Sequence, residues 1–203
     1  MKKKNDEMDI VFLLDRSGSM SGMEDDTIGG YNSYIEGQKD NNVRITTVLF
    51  DDKYEMISNR TNIKDIKKLN RKSYYVRGCT ALLDAIGKTI NYIESKNPKK
   101  VIFIITTDGL ENASREYDKN KIKKLIKKHN DWEFMYIGAD IDSYSESESI
   151  GISRKNTANY KKDKMGTKML FEAVACASNS YLNEEEVSEN WKSKLDDYIN
   201  DNI

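Results

Sequence analysis

The stretch "VFLLDRSGSM" (Val11–Met20) decides how the chain is read. With the preceding "MDI" it forms a near-continuous apolar run, Met8 to Leu14, as expected of a central strand covered on both faces. The run ends in Asp15, and Ser17 and Ser19 follow around Gly18, so three hard oxygen donors share one short turn. Alone, such a turn is either a solvated strand end or one arm of a site.

Working outward, apolar runs alternate with segments of helical period. This predicts an α/β fold, a Rossmann-like open and mostly parallel sheet of about six strands with helices on both faces. Ile28, Tyr31 and Ile35 mark a helix from Asp25 to about Gln38, weakened by the Gly29-Gly30 pair. "VRITTVLFDDKYEMIS" reads as two strands joined by Asp51-Asp52-Lys53, which makes one of them antiparallel. A short helix is expected over Ile63–Leu69, and a strong one carries Ala81, Leu82, Ala85, Ile86, Ile90 and Ile93. That helix ends before Pro98, the only proline.

"VIFIITT" (Val101–Thr107) is a second buried strand and "WEFMYIG" a third, with a helix around Ile122 and Ile126 between them. A short helix over Ser143–Ile150, a sixth strand near Lys155–Ala158 and a helix from about Lys164 to Tyr181 complete the expected domain. The "ESES" tract inside the short helix is expected to face water. Residues 1–183 are read as one domain with its core at about 8–181. Residues 184–203 form an amphipathic helix, with Val187, Trp191, Leu195 and Tyr198 packed on it or extending it.

Charge excludes some functions. The 33 Lys+Arg against 34 Asp+Glu leave no net attraction to nucleic acid or to an anionic membrane. "KNKIKKLIKK" carries its isoleucines and leucine at core spacing without interleaved aromatics, and reads as a solvated helix face. The longest apolar run, Val101–Ile105, is too short to cross a bilayer. Asn5, Asp6, Glu7 and Asp9 break the apolar stretch that a secretion signal would need. Cys79 and Cys176 are then expected to be reduced and mostly buried, in a cytoplasmic protein.

In an open α/β sheet, ligands bind beyond the carboxyl ends of the strands, where strand order reverses. Three polar stretches belong there: Asp15-Arg16-Ser17-Gly18-Ser19, Gly78-Cys79-Thr80 before the strong helix, and Asp108-Gly109 after the second buried strand. Two carboxylates and three hydroxyls, without thiolate or imidazole, suit Mg²⁺, Mn²⁺ or Ca²⁺ and not zinc or copper. Gly18 is expected to tighten the turn and Gly109 to permit a sharp exit from the strand.

The trio "DRSGS", "GCTALLDAI" and "TTDG" resembles the metal-ion-dependent adhesion site (MIDAS) of von Willebrand factor type A domains. Asp15, Ser17 and Ser19 match its first motif, Thr80 its second and Asp108 its third. The resemblance implies that the hydroxyls touch the metal while the aspartates act largely through water. Neutral donors leave the cation electrophilic, free to take a carboxylate from another protein. It further implies an adaptor or scaffold in an intracellular complex, serving an ATPase or stress-response assembly in trans, with no nucleic acid or membrane partner.

Arg16, Tyr74, Tyr75, Arg77, Glu111, Asn112 and Arg115 flank the three motifs as candidate rim residues. Asp140 and Asp142 read as turn and cap residues, and Cys79 as a packing residue. Thr80 also precedes a helix and is a candidate cap for it. The competing reading is a hydrolase or phosphotransferase using the same cation. A nucleophilic serine needs a base, and the single histidine, His129, lies on another element. A phosphoaspartate mechanism on Asp15 expects a carboxylate where Ser17 stands.

Overall fold

A computed structural model describes residues 7–139, 142–183, 185 and 187–201. Strand β1 (Met8–Asp15) is buried along its whole length, which explains why its sequence carries no polar alternation. It pairs in parallel with β2 (Val43–Phe50) on one side and β4 (Val101–Thr107) on the other. Beyond them lie β3 (Tyr54–Asn62), antiparallel to β2, and the parallel strands β5 (Glu133–Ala139) and β6 (Thr157–Tyr160). The order is β3-β2-β1-β4-β5-β6, so the chain switches direction across the sheet between β1 and β4.

Alternate residues of β1 feed two cores. Ile10, Phe12 and Leu14 pack with Tyr31 and Tyr34 of α1 (Glu24–Gly37) and with Leu170 and Val174 of α5 (Lys164–Leu182). Val11 and Leu13 face Ile86 and Ile90 of α2 (Leu82–Glu94) and Ile122 of α3 (Lys119–Lys128). Helix α4 (Ser143–Ile150) adds Ile150 to that second core and stops at Gly151, whose φ of 94° is the left-handed conformation glycine tolerates. Among the described residues no helix is long and apolar enough to cross a membrane.

The two glycines of α1 have opposite roles. A Cβ on Gly29 meets nothing within 4 Å, whereas one on Gly30 would lie 2.1 Å from the Phe171 ring. Gly30 therefore lets α5 lie close against α1, which outweighs its poor helix propensity. Gly30→Ala is expected to cost about 1–3 kcal/mol through overpacking. Gly29→Ala should gain up to about 1 kcal/mol from helix propensity. Urea midpoints moving in opposite directions would verify the pair.

The segment after α5 returns to the sheet. A 3₁₀ turn (Glu189–Lys192) and α6 (Ser193–Asn200) replace the single helix expected there. Val187, Trp191 and Leu195 join the α1/α5 core. The Trp191 indole donates to the Lys155 carbonyl at 2.9 Å. The Lys192 ammonium donates to the carbonyls of Thr157 (2.7 Å) and Arg154 (3.0 Å).

Other expectations shift locally. The helix expected over Ile63–Leu69 is a 3₁₀ turn of Ile63–Asp65, held by the Asn62 side chain. The sixth strand starts at Thr157, because Arg154–Asn156 winds into a 3₁₀ turn first. Within "ESES", Ser147 is buried rather than solvated, its hydroxyl bonded to Thr157 Oγ1 at 2.8 Å. Asp142 does cap α4, accepting from the Ser145 N–H at 3.0 Å. Asp140 lies outside the described residues.

Candidate metal centre

Beyond the carboxyl ends of β1 and β4, the three predicted motifs come together. Asp15 closes β1 with its side chain fully buried. One carboxylate oxygen accepts from the Ser17 N–H (2.7 Å) and the other from the Thr107 hydroxyl (2.6 Å). The Tyr74 hydroxyl donates to the Asp15 carbonyl at 2.6 Å, fixing the backbone as well. Burial pushes the Asp15 carboxyl up to about 6, even against the hydrogen bonds from Thr107 and Ser17.

The next residues wind into a 3₁₀ turn (Gly18–Met20) that sets the Ser17 and Ser19 hydroxyls 2.9 Å apart. Ser17 is buried and Ser19 exposed, so the pair runs from the interior toward solvent. The Gly18 N–H donates to the Gly78 carbonyl at 3.1 Å, tying this turn to the loop that carries Thr80.

Thr80 does not cap α2. Its N–H donates to the Asn112 side chain (2.9 Å), and its carbonyl accepts from the N–H groups of Asn112 and Ala113. The open N–H groups of α2 at Leu83 and Asp84 are taken by Glu111 (2.9 Å) and the Ser114 hydroxyl (3.0 Å). The loop after β4 therefore serves as the cap, which leaves the Thr80 hydroxyl out of that work.

Gly109 shows where the three hydroxyls point. A Cβ built on it would lie 2.8 Å from Thr80 Oγ1, 3.0 Å from Ser19 Oγ and 3.6 Å from Ser17 Oγ. Its φ is not in the left-handed region, so its role is to leave space and not to turn the strand exit sharply. The neighbouring Asp108 is buried, and neither carboxylate oxygen accepts a hydrogen bond. It has an ion-pair partner, the Lys162 ammonium at 2.7 Å.

Three hydroxyls meet beside Gly109, and the Asp15 and Asp108 carboxylates lie at the ends of the strands beneath them; oxygen donors of this kind suit a hard cation. Among the described residues no group of three or more His, Cys, Asp or Glu side chains is placed to hold a metal. A cation here therefore depends on the hydroxyls. Cys79 and Cys176, expected to be buried, are both exposed and unpaired.

The expected rim divides. Arg16 is no rim residue: it is fully buried, its Nε 2.8 Å from Asp51 and its Nη1 2.8 Å from Glu55. Tyr74 is likewise buried beneath Asp15. Arg77 reaches the same Asp51 oxygen at 2.7 Å, and the hydrogen bonds from Arg77, the Lys53 N–H and Arg16 hold the Asp51 carboxyl below its ordinary range despite burial. Tyr75, 42% exposed, has both guanidinium groups against its ring, at 5.5 Å (Arg16) and 5.2 Å (Arg77). Glu111 is occupied by the cap and by the N–H groups of Ala113 and Ser114. Asn112 and Arg115 are exposed, with the Arg115 N–H tied to Asp84 at 3.1 Å. Leu110, which the motif did not single out, is 57% exposed beside Gly109.

Two residues at the site carried no motif signal: Asp51, which orients its arms, and Lys162, which pairs with Asp108. Asp51 was legible only as part of a hairpin link, and Lys162 only as one lysine among several.

The model of the von Willebrand factor type A domain matches residues 10–111. Comparison with curated proteins gives no sequence match. Solved structures share the fold. Proximal thread matrix protein 1 from the mussel byssus, in a form described as having a zinc-occupied MIDAS motif, aligns at 16% identity and a TM-score of 0.63. The alignment covers 84% of this chain and 45% of that one, so this chain spans under half the mussel protein. The vWF domain of the type V pilus tip protein Mfa5 from Porphyromonas gingivalis aligns at 11% identity and a TM-score of 0.67, over 88% of this chain and 97% of that one. Manganese-loaded TRAP protein from Plasmodium vivax aligns at 15% identity and a TM-score of 0.58, over 82% and 74%.

Proposed function

The chain belongs to the von Willebrand factor type A domain family, and from that premise we propose that it is a divalent-cation-dependent protein-binding module. Ser17, Ser19 and Thr80 hold the ion directly, Asp15 and Asp108 hold it largely through water, and an open position takes an acidic side chain of a partner protein. The observation that carries this reading is the convergence of three hydroxyls beside Gly109. Neutral inner donors leave most of the +2 charge available to an incoming carboxylate. Mg²⁺ is the proposed ion, with Mn²⁺ and Ca²⁺ suited to the same donors.

The proposal gives the site no bond-breaking role. His129, the sole histidine, closes α3 at the opposite end of the sheet, stacked on Trp132 at 4.1 Å and 3.4 Å from Glu94. It is out of reach as a base for Ser17 or Ser19. We place the module inside the cell, as an adaptor or scaffold for an assembly such as an ATPase or stress-response complex in trans. Two exposed unpaired thiols fit a reducing compartment. Tyr75, Leu110, Asn112 and Arg115 are exposed groups available to a partner around the cation.

Calorimetric titration with Mg²⁺ and Mn²⁺ tests the site, and a pull-down with and without chelator tests its use. One binding site is expected for the wild type. Thr80→Ala removes a ligand and Gly109→Ala fills the cradle, so both are expected to lose the ion; in chelator Thr80→Ala should melt close to the wild type and Gly109→Ala below it, because its Cβ meets Thr80 Oγ1 at 2.8 Å. Partners retained by Thr80→Ala in chelator would sink the docking model.

A further inference from the structure

The ammonium of Lys162 lies 2.7 Å from Asp108 Oδ2 and also contacts the Ser19 carbonyl. It therefore bridges two of the three arms of the cradle, reaching in from the turn between β6 and α5. The Asp108 side chain is 1% exposed and neither of its oxygens accepts a hydrogen bond, so the ion pair with Lys162 is the partner seen for this buried carboxylate. A carboxylate in that position requires a neighbouring positive charge.

Resting on the metal-site reading above, we propose that Lys162 is a resident counter-cation of the site, which a divalent ion must displace or repel in order to use Asp108. A lysine ammonium is a compact point charge on a flexible stem, suited to leaving as well as to staying. Side-chain exposure of 24% gives it a path to solvent without unfolding the turn. The ammonium and the ion compete for one carboxylate and repel each other across a few ångströms. Each consequently weakens the other's hold on Asp108 by the same factor. Lys162 thus sets the threshold concentration at which the site fills, and keeps Asp108 paired below that threshold.

The test uses the full chain as wild type, Lys162→Met and Lys162→Arg, with Mn²⁺ as probe. Calorimetry is expected to show Lys162→Met binding Mn²⁺ about tenfold more tightly than wild type. Lys162→Arg, which keeps the charge, should stay near wild type. In chelator, Lys162→Met should melt below the wild type because Asp108 has lost its partner, and saturating Mn²⁺ should raise its melting temperature by more than it raises the wild type's. Equal or weaker Mn²⁺ affinity in Lys162→Met would overturn the role of Lys162 while leaving the metal site standing. Absence of Mn²⁺ binding in all three proteins would overturn the metal site itself, and the inference with it.

Discussion

Asp15→Asn is expected to stabilise the protein in chelator by about 3 kcal/mol near neutral pH, while removing its affinity for divalent cations. The side chain is fully buried at the end of β1, and burial raises its carboxyl from 3.8 to about 6. Between those values the folded protein keeps a proton that the unfolded chain has lost. Stability contributed by this group is therefore fully present below about pH 4, declines as pH rises to about 6, and is lost above it. Asparagine has no proton to lose. It can still accept from the Ser17 N–H and can donate to the Thr107 hydroxyl, so the local bonds survive in altered polarity.

Urea denaturation in chelator across about pH 4 to 8 reads this directly: the wild type should weaken through the range, and Asp15→Asn should lack that decline. A matching decline in the variant would show that another group causes it. Cation binding has the opposite slope. An ion favours the ionised carboxylate, so affinity should fall below about pH 6, by at most about tenfold per pH unit for one displaced proton. A buried, unneutralised carboxylate thus costs stability that a bound cation restores.

The second large effect belongs to Asp51. It accepts from Arg16 and Arg77 through one oxygen and from the Lys53 N–H through the other, and its carbonyl takes the Ala81 N–H at 2.9 Å. Arg16 is wholly buried, and its remaining ionic partner is Glu55, whose side chain is half exposed. Asp51→Ala leaves a buried guanidinium beside Arg77 with that one counter-charge. Breaking a buried pair in this way costs about 3–5 kcal/mol. The double variant Arg16→Met/Asp51→Leu, which removes the charges together, should recover most of the loss. If it is no more stable than Asp51→Ala alone, the cost lies in packing and not in unpaired charge.

Much of this was legible in the sequence, for identifiable reasons. β1, β4 and β5 are covered on both faces, so their apolar runs stand out and their ends are sharp. The antiparallel edge strand announced itself through Asp51-Asp52-Lys53. The five proposed donors were readable because each follows a strand or precedes a helix within a short motif, and Gly109 brings the three hydroxyls together. Arg16 was misplaced on the rim because its partners Asp51 and Glu55 come from another strand end. Glu111 looked like a surface side chain because helix capping from a distant loop leaves no local pattern. Lys162 pairs with Asp108 and Ser19 across the fold, and nothing near "YKKDK" marks it. Spacing records what is local; ion pairs between loops are not.

The returning segment after α5 has a further consequence. β6 is the outermost strand on its side of the sheet, and an outermost strand presents carbonyls on which a foreign strand can add. Here Lys192 occupies the carbonyl of Thr157, the first residue of β6, and Trp191 and Lys192 hold the Lys155 and Arg154 carbonyls of the turn that leads into it. The turns that follow α5 thus cover the start of this edge strand. A chain shortened before Val187 would uncover that end of the edge and bare the apolar core to which Val187, Trp191 and Leu195 belong, and is expected to aggregate.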